Sequence, residues 1–531
     1  MGLYIRRAAM YAFIVALGGF VFGLDAAVIS GTVRYISAEF MLTDLQVGTV
    51  VSAPSLGAII ALCFAGKAAD KYGRKNTLVT IALLYVISAI GSALATSYEM
   101  LVAFRFIGGL AFSSLSLASM YIGEIAPNRL RGKLVTVNQL NIVIGLSAAY
   151  FINFYLVEKA DASIYLLSNE GIWRAMLGSE IIPALIWFAL VCMIPESPRW
   201  LIKVGHDNQA IQVLNKINSE EDAEAEFTAI KQNLVHVADI SFKQQLMLLL
   251  NTKYRHAMFV GITIAVIQGV TGMNAILFYA PTVFEQVGFG VNAAFQQALY
   301  IGLTSFVFTV MAVLFIDRLG RRPLMLIGLT LAVLSHMTCW YGFYNAEYRL
   351  ESHHVTQMSE SFDAGPLVSI QDNTYQSDTE FKLALSEVLH ADILKWHQAE
   401  IIEKSISINP ALILIGILGF IAAFHISIGP IMWVLFSEIF PNSVRSVAIP
   451  VAAMVTSIAS YLIQQFFPWQ LANLGAANTF LVYGVFAAIG LLVMAMSLPE
   501  TKGKTIEHIE ILMGSNKKEA EKKSVITSSQ A

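Results

Sequence analysis

Asp25 and Arg105 are the two residues of this chain whose placement asks for a chemical explanation. Asp25 lies in the middle of the first apolar stretch, Gly18-Gly19-Phe20-Val21-Phe22-Gly23-Leu24-Asp25-Ala26-Ala27. Arg105 lies in the fourth, Val102-Ala103-Phe104-Arg105-Phe106-Ile107-Gly108. A carboxylate at membrane depth costs several kcal/mol and is rare without a partner and a task. One acid and one base on separate apolar helices make a candidate proton site, because the distance between them sets how readily the acid holds a proton. Glu180, in the sixth stretch, is a further embedded acid. The plainer alternative is a static ion pair that orders the first half of the chain.

The elements that must hold these residues are membrane helices. Of 531 residues, 56% are hydrophobic and only 13% charged, about half the charged share of a soluble domain. Mean hydropathy is +0.63. Twelve apolar spans are predicted near 10–32, 46–66, 76–96, 99–122, 134–157, 175–195, 256–284, 295–317, 322–345, 409–437, 444–467 and 476–498, each long enough to cross roughly 30 Å of hydrocarbon. Basic residues cluster after spans two, four and eight. This places both termini and the 196–255 loop in the cytoplasm. Cys63, Cys192 and Cys339 all fall inside spans and read as buried small hydrophobes. The apolar run after Arg6 and Arg7 reads as an uncleaved first helix, since Asp25 interrupts it.

An internal repeat sets the architecture. Asp70-Lys71-Tyr72-Gly73-Arg74-Lys75 returns as Asp317-Arg318-Leu319-Gly320-Arg321-Arg322. Glu124-Ile125-Ala126-Pro127-Asn128 with Arg131 returns as Glu438-Ile439-Phe440-Pro441-Asn442 with Arg445, and Pro195-Glu196-Ser197 as Pro499-Glu500-Thr501. Two six-span halves follow: a bundle over 1–195, a cytoplasmic linker of short helices over 196–255, a second bundle over 256–498, and a tail over 499–531. The second half carries an extracytoplasmic insert, 346–404, in which Phe381, Leu385, Val388, Leu389, Ile393 and Trp396 predict one amphipathic helix over about 378–404, a cap on the outer surface. Asp70 is placed to cap the helix that follows it. Arg74 is expected to pair with Glu124 or Glu196, and Arg321 with Glu438 or Glu500. These pairs, with Arg131, Arg199, Asp317 and Arg445 nearby, form a cytoplasmic latch that closes in one state and opens in the other.

These motifs resemble those of sugar porters of the major facilitator superfamily, the group of xylose–proton symporters and glucose transporters. The resemblance rests on Gly-Gly-x-x-Phe-Gly-x-Asp at 18–25, the 66–75 loop, Tyr121-Ile122-Gly123-Glu124, Asn138-Gln139, Pro195-Glu196-Ser197-Pro198-Arg199, Gly272-Met273-Asn274 and Pro499-Glu500-Thr501-Lys502-Gly503. It implies an all-α fold of twelve transmembrane helices and proton-coupled import of a sugar. It also implies solute contacts from the amides Gln139, Gln268 and Asn274 and the aromatics Phe22 and Trp433. Amides both donate and accept, as hydroxyls require, and aromatic faces suit sugar C–H surfaces. Asp25, Arg105 and Glu180 then serve coupling, with the proton in place of any cofactor or metal. The second half departs from the family pattern: Gly269 replaces a second glutamine, Ser305 an asparagine, Ile428 a tryptophan and Thr456-Ser457 an amide–indole pair. A different sugar, a larger one or a polyol is therefore open. Gly269, Gly272 and Asn274 together imply a break in span seven. An uncoupled sugar or polyol uniporter and a non-transporting sugar receptor are the alternatives; an enzyme is excluded by the lack of any nucleophile–base pair, metal cluster or phosphate loop. His425 reads as a hydrogen-bonded structural imidazole. The chain is expected to work as a monomer in a bacterial inner membrane.

Overall fold

The computed structural model describes residues 3–126, 131–161, 163–218, 220–236, 249, 254–440, 444–504, 508, 509 and 513. Twelve of its helices are long and apolar enough to cross a membrane: Tyr4–Glu39, Asp44–Tyr72, Arg74–Ala93, Tyr98–Ile125, Val137–Glu158, Ile172–Met193, Arg255–Phe278, Val291–Leu319, Arg321–Tyr344, Pro410–Ile439, Val447–Asn473 and Gly475–Ser497. They are spans one to twelve below. Their ends follow local chemistry. Thr43 and Gln46 close a capping box on span two, Ser97 caps span four, and Asn409 caps span ten with Pro410 in its first turn.

The two halves are built alike. In the first, span one packs on span five and span four on spans two and three; in the second, span nine packs on spans ten and twelve and span eight on span ten. Between halves, span two meets span eleven and span five meets span eight. Four spans are interrupted at mid-length. Span four breaks between Ala111 and Ser114, span six between Gly178 and Ile181, span seven between Val270 and Met273 and span ten at Ser427. The six-residue helix Ala280–Glu285 then prolongs span seven past Tyr279.

The linker contributes helices Pro198–Lys203, Asp207–Ile217 and Glu220–His236. The insert is a small folded body. Strand Glu347–Arg349 pairs antiparallel with Thr374–Tyr375 on one side and Ile406–Ser407 on the other. The register Glu347↔Ser407 brings the insert's two ends together. Tyr348, Met358, Leu367, Phe381, Leu385 and Ile401 form its own core. The single helix expected over 378–404 is two, Asp378–Val388 and Ala391–Ser405. The chain is extended at Leu389, which is itself buried.

The cysteine expectation is also corrected. Cys339 is buried, but Cys63 and Cys192 are exposed on the outer surfaces of their helices; a span is apolar all round because its solvent is lipid, so hydropathy does not separate core from surface.

Candidate functional site

The first half buries a charge cluster where two helices are interrupted. Asp25 is 1% exposed and Arg105 2%, and Arg105 Nη1 contacts Asp25 Oδ1 directly. Glu180, also buried, occupies the break in span six and is close enough to feel the charges of both Asp25 and Arg105. Asp25 Oδ2, Arg105 Nε and Glu180 Oε1 have no hydrogen-bond partner. The cluster thus brings two carboxyls to one guanidinium, with acceptor capacity left over. Gly108 lies beside Asp25 and lets span four approach span three, since a Cβ there would stand 2.4 Å from Ser88 Oγ. A cavity of about 10 Å³ joins Arg105 and Ser55 to Phe278 and Gln464 of the opposite half, on the threshold for one water.

Two of the amides expected at the solute site, Gln268 and Asn274, flank the break in span seven. Gln268 is half-buried, and its Oε1 has no partner. Asn274, just beyond the break, donates from Nδ2 to Ser460 Oγ at 2.7 Å. Gln139 is half-buried on span five. Phe22 packs edge-on against Phe112 at 4.6 Å. Trp433 is 49% exposed and touches Phe436 edge-on at 5.9 Å, so the structure leaves it open rather than packed with the amides.

Gly272 makes the break: its φ of 87° is the left-handed conformation that glycine tolerates. Gly269 explains one departure from the family pattern. A Cβ there would stand 2.4 Å from Ala459 Cβ, so span eleven occupies the room a second glutamine would need. Ser305, Ile428 and Thr456, at the other departing positions, are buried in the second half. His425 hydrogen-bonds Thr309 Oγ1 through Nδ1 at 3.0 Å.

Sequence reasoning missed the contacts that close the halves against each other. Ser52 and Ser55 donate to Gln465 and Gln464, both at 2.8 Å. Tyr150 donates to the Leu277 carbonyl at 2.7 Å and Ser147 to the Gly302 carbonyl at 3.0 Å. Arg34 reaches Glu285 at 3.4 Å and also the Trp396 carbonyl of the insert. Lys395 of the insert donates to the Leu42 carbonyl, while Asp378 accepts from the Ala476 amide at 3.1 Å. The insert therefore grips both halves. Among the described residues, no hydrogen bond or ion pair joins the halves at the linker side. A pair of in-span glutamines, Gln464-Gln465, was the available signal.

At the linker side the charged motifs do pair, but within each half. Arg74 holds Glu124 at 3.0 Å and Asp70 at 2.9 Å. Glu196 accepts from the Arg74 and Lys75 amides at 2.9 and 3.1 Å. The repeat is faithful: Arg321 holds Glu438 at 3.0 Å and Asp317 at 3.1 Å, and Glu500 accepts from the Arg321 and Arg322 amides, both at 3.1 Å. One expectation is corrected here. The helix caps are Glu196 and Glu500, not Asp70, because Gly73 and Gly320 turn the chain so that the new amides point at the end of the half's last span. The expected pairs Arg74–Glu124 and Arg321–Glu438 each join helices inside one half. Arg445 donates to the Phe440 carbonyl at 2.9 Å and Arg199 is exposed; neither pairs with a carboxylate among the described residues. The side chain of Arg131 lies outside the described residues.

The caps differ in electrostatics. Burial pushes the Glu196 carboxyl above its ordinary range, against the pull of the Ser197, Lys75 and Arg74 amides. Partial burial also raises Glu500, but the amides of Lys502, Arg321, Arg322 and Thr501 outweigh it and leave the carboxyl below its ordinary range.

Twelve spans in two like halves, tied to each other on the insert side and containing broken helices, define a multi-pass membrane transporter of the major facilitator fold. The family described as "Sugar (and other) transporter" matches residues 11–359 and 393–513, and the chain belongs to it. The unmatched 360–392 lies within the insert. The chain is 34% identical to the arabinose-proton symporter of Bacillus subtilis (strain 168), over 93% of each chain. It is 30% identical to the D-xylose-proton symporter of Escherichia coli (strain K12), over 94% of each. Among solved structures it resembles the inward-open conformation of the E. coli xylose transporter, with a TM-score of 0.72 and 28% identity over 94% of this chain and 98% of that one. The partially occluded inward-open conformation of that transporter gives 0.70 and 27%, over 93% and 100%.

Proposed function

We propose that this protein is a proton-coupled symporter that imports a sugar or sugar-like solute across a bacterial inner membrane by alternating access. Its linker and termini face the cytoplasm, its insert faces outward, and it works as a monomer. The observation that carries the reading is the buried Asp25–Arg105–Glu180 cluster, which has two carboxyls for one guanidinium. One proton on either carboxyl balances the cluster's charge, two carboxylates against one guanidinium. Protonation from outside weakens Asp25's hold on Arg105. Arg105 lines the small cavity at the seam between the halves, so its release is felt where the halves meet. The solute binds among Gln139, Gln268, Asn274, Phe22 and Trp433, the halves rock, and proton and solute leave on the cytoplasmic side. No cofactor is required.

Replacing Asp25 by Asn tests this. The amide keeps the shape and removes the titrating group. The variant should lose uphill accumulation of solute in vesicles bearing a proton gradient, yet retain solute exchange. Retained accumulation would sink the coupling role and favour a static ion pair. Ligand-induced thermal stabilisation across pentoses, hexoses, disaccharides, polyols and sugar acids identifies the solute, since a ligand of the native state raises its apparent stability.

A further inference from the structure

The break in span seven leaves backbone groups without helical partners, and one of them is met from outside the helix. In a continuous helix the Ala275 amide would bond the Thr271 carbonyl. Here the α-helical pattern resumes only with the Ile276 amide bonding the Gly272 carbonyl at 3.1 Å. The Thr271 carbonyl is instead bonded by Nε2 of His336, on span nine, at 3.0 Å. A carbonyl only accepts, so Nε2 carries the hydrogen.

His336 is 0% exposed. Its ring lies 4.2 Å from that of Phe420 on span ten and 6.1 Å from those of both Phe480 and Tyr483 on span twelve. Tyr483 is also the residue against Gly272, 2.5 Å from where a Cβ would be. Spans nine, ten and twelve therefore brace the broken helix from behind. Gln268 and Asn274 stand on the two sides of that break, so its bend sets how the two amides face one another.

We infer that His336 is a positioning residue for solute binding: its Nε2–H holds the Thr271 carbonyl and thereby fixes the bend that aligns Gln268 with Asn274. This rests on the reading of those two amides as solute ligands. The imidazole acts as a neutral donor from outside the binding site, with no part in proton movement.

The test compares His336→Leu, which removes the donor, with His336→Gln, whose amide N–H can replace it. Hydrogen exchange of the amides of residues 271–276 is measured in the purified full chain, together with binding of L-arabinose and D-xylose and the pH profile of uptake. In His336→Leu, exchange at 271–276 should speed up at least tenfold relative to span three, and affinity for whichever sugar binds should fall about tenfold, a geometric loss typical of a loosened support. His336→Gln should recover both. The pH profile of uptake should be unmoved in either variant. Unchanged exchange in His336→Leu overturns the brace, as does a shifted pH profile in His336→Gln. Faster exchange with parental affinity overturns the positioning role. Gln268→Ala is run beside them: if it leaves binding intact, the reading of the solute site fails and the positioning role with it, whatever His336 does to exchange.

Discussion

Arg34→Gln is the perturbation that most directly tests how the outer face is closed. Arg34 lies near the end of span one, in the first half. It pairs with Glu285 of the second half at 3.4 Å, with the two side chains only 17% and 11% exposed, and it also donates to the Trp396 carbonyl. Opening toward the insert side must break both contacts. Removing one partner of a fully buried pair costs about 3–5 kcal/mol. This pair is long and retains some water, so about 2 kcal/mol is the appropriate scale. At 1.4 kcal/mol per factor of ten, the balance between closed and open outer faces should move about 30-fold toward open. The orphaned Glu285 carboxylate gains hydration only when the halves part, which adds direction to the shift. Spin labels at Lys159 and Asn473, exposed at the insert-side ends of spans five and eleven, read the separation once Cys63 and Cys192 have been replaced. The expected result is a longer-distance population in Arg34→Gln, reversed in part by adding Glu285→Gln, since the second change removes the stranded charge. An unchanged distance distribution in Arg34→Gln would refute the reasoning, and so would a double variant no closer to parent than the single one.

The two carboxylate caps should respond oppositely to pH. Glu500 is held below its ordinary value of 4.5, so its stabilisation is present at neutral pH and is lost as pH falls through the lowered value; the melting-temperature deficit of Glu500→Gln should shrink over that window. Glu196 is raised, so its pH-linked stability is present in acid and lost as pH rises; Glu196→Gln should therefore cost less than Glu500→Gln at pH 7, and the reverse order in a melting series would contradict the assignment. Restoring the family glutamine with Gly269→Gln should destabilise by about 1–3 kcal/mol through overpacking against Ala459, with partial recovery on adding Ala459→Gly, measured by thermal melting. Leu385→Ala, in the insert's own core, should cost about 2–5 kcal/mol locally and raise hydrogen exchange within 347–407 while leaving that of spans one to six unchanged.

What the sequence carried by itself is whatever follows from composition, period and repetition. Apolar length dictates the spans, because a bilayer leaves helices as the one way for an isolated segment to satisfy its backbone. The duplicated loop motifs dictate two halves, and Arg74–Glu124 and Arg321–Glu438 were legible as pairs because opposite charges near helix ends have few other partners. Asp25 and Arg105 were legible because their burial is too costly to be incidental. Gly272 announced a break. What only the tertiary structure decided is which groups meet across distance. That Glu180 occupies a helix break near Asp25, that Glu196 and Glu500 rather than Asp70 cap the following helices, and that Arg34 and Lys395 tie span one and its loop to the insert all depend on how helices rotate about their axes. A span that is apolar on every side gives no periodic signal for that rotation. The same reason hid Gln464, Gln465 and His336, single polar groups whose partners are backbone carbonyls or hydroxyls on other spans, and left Cys63 and Cys192 indistinguishable from core. In lipid, the sequence fixes the length of a helix, and packing against its neighbours fixes which side of it does the chemistry.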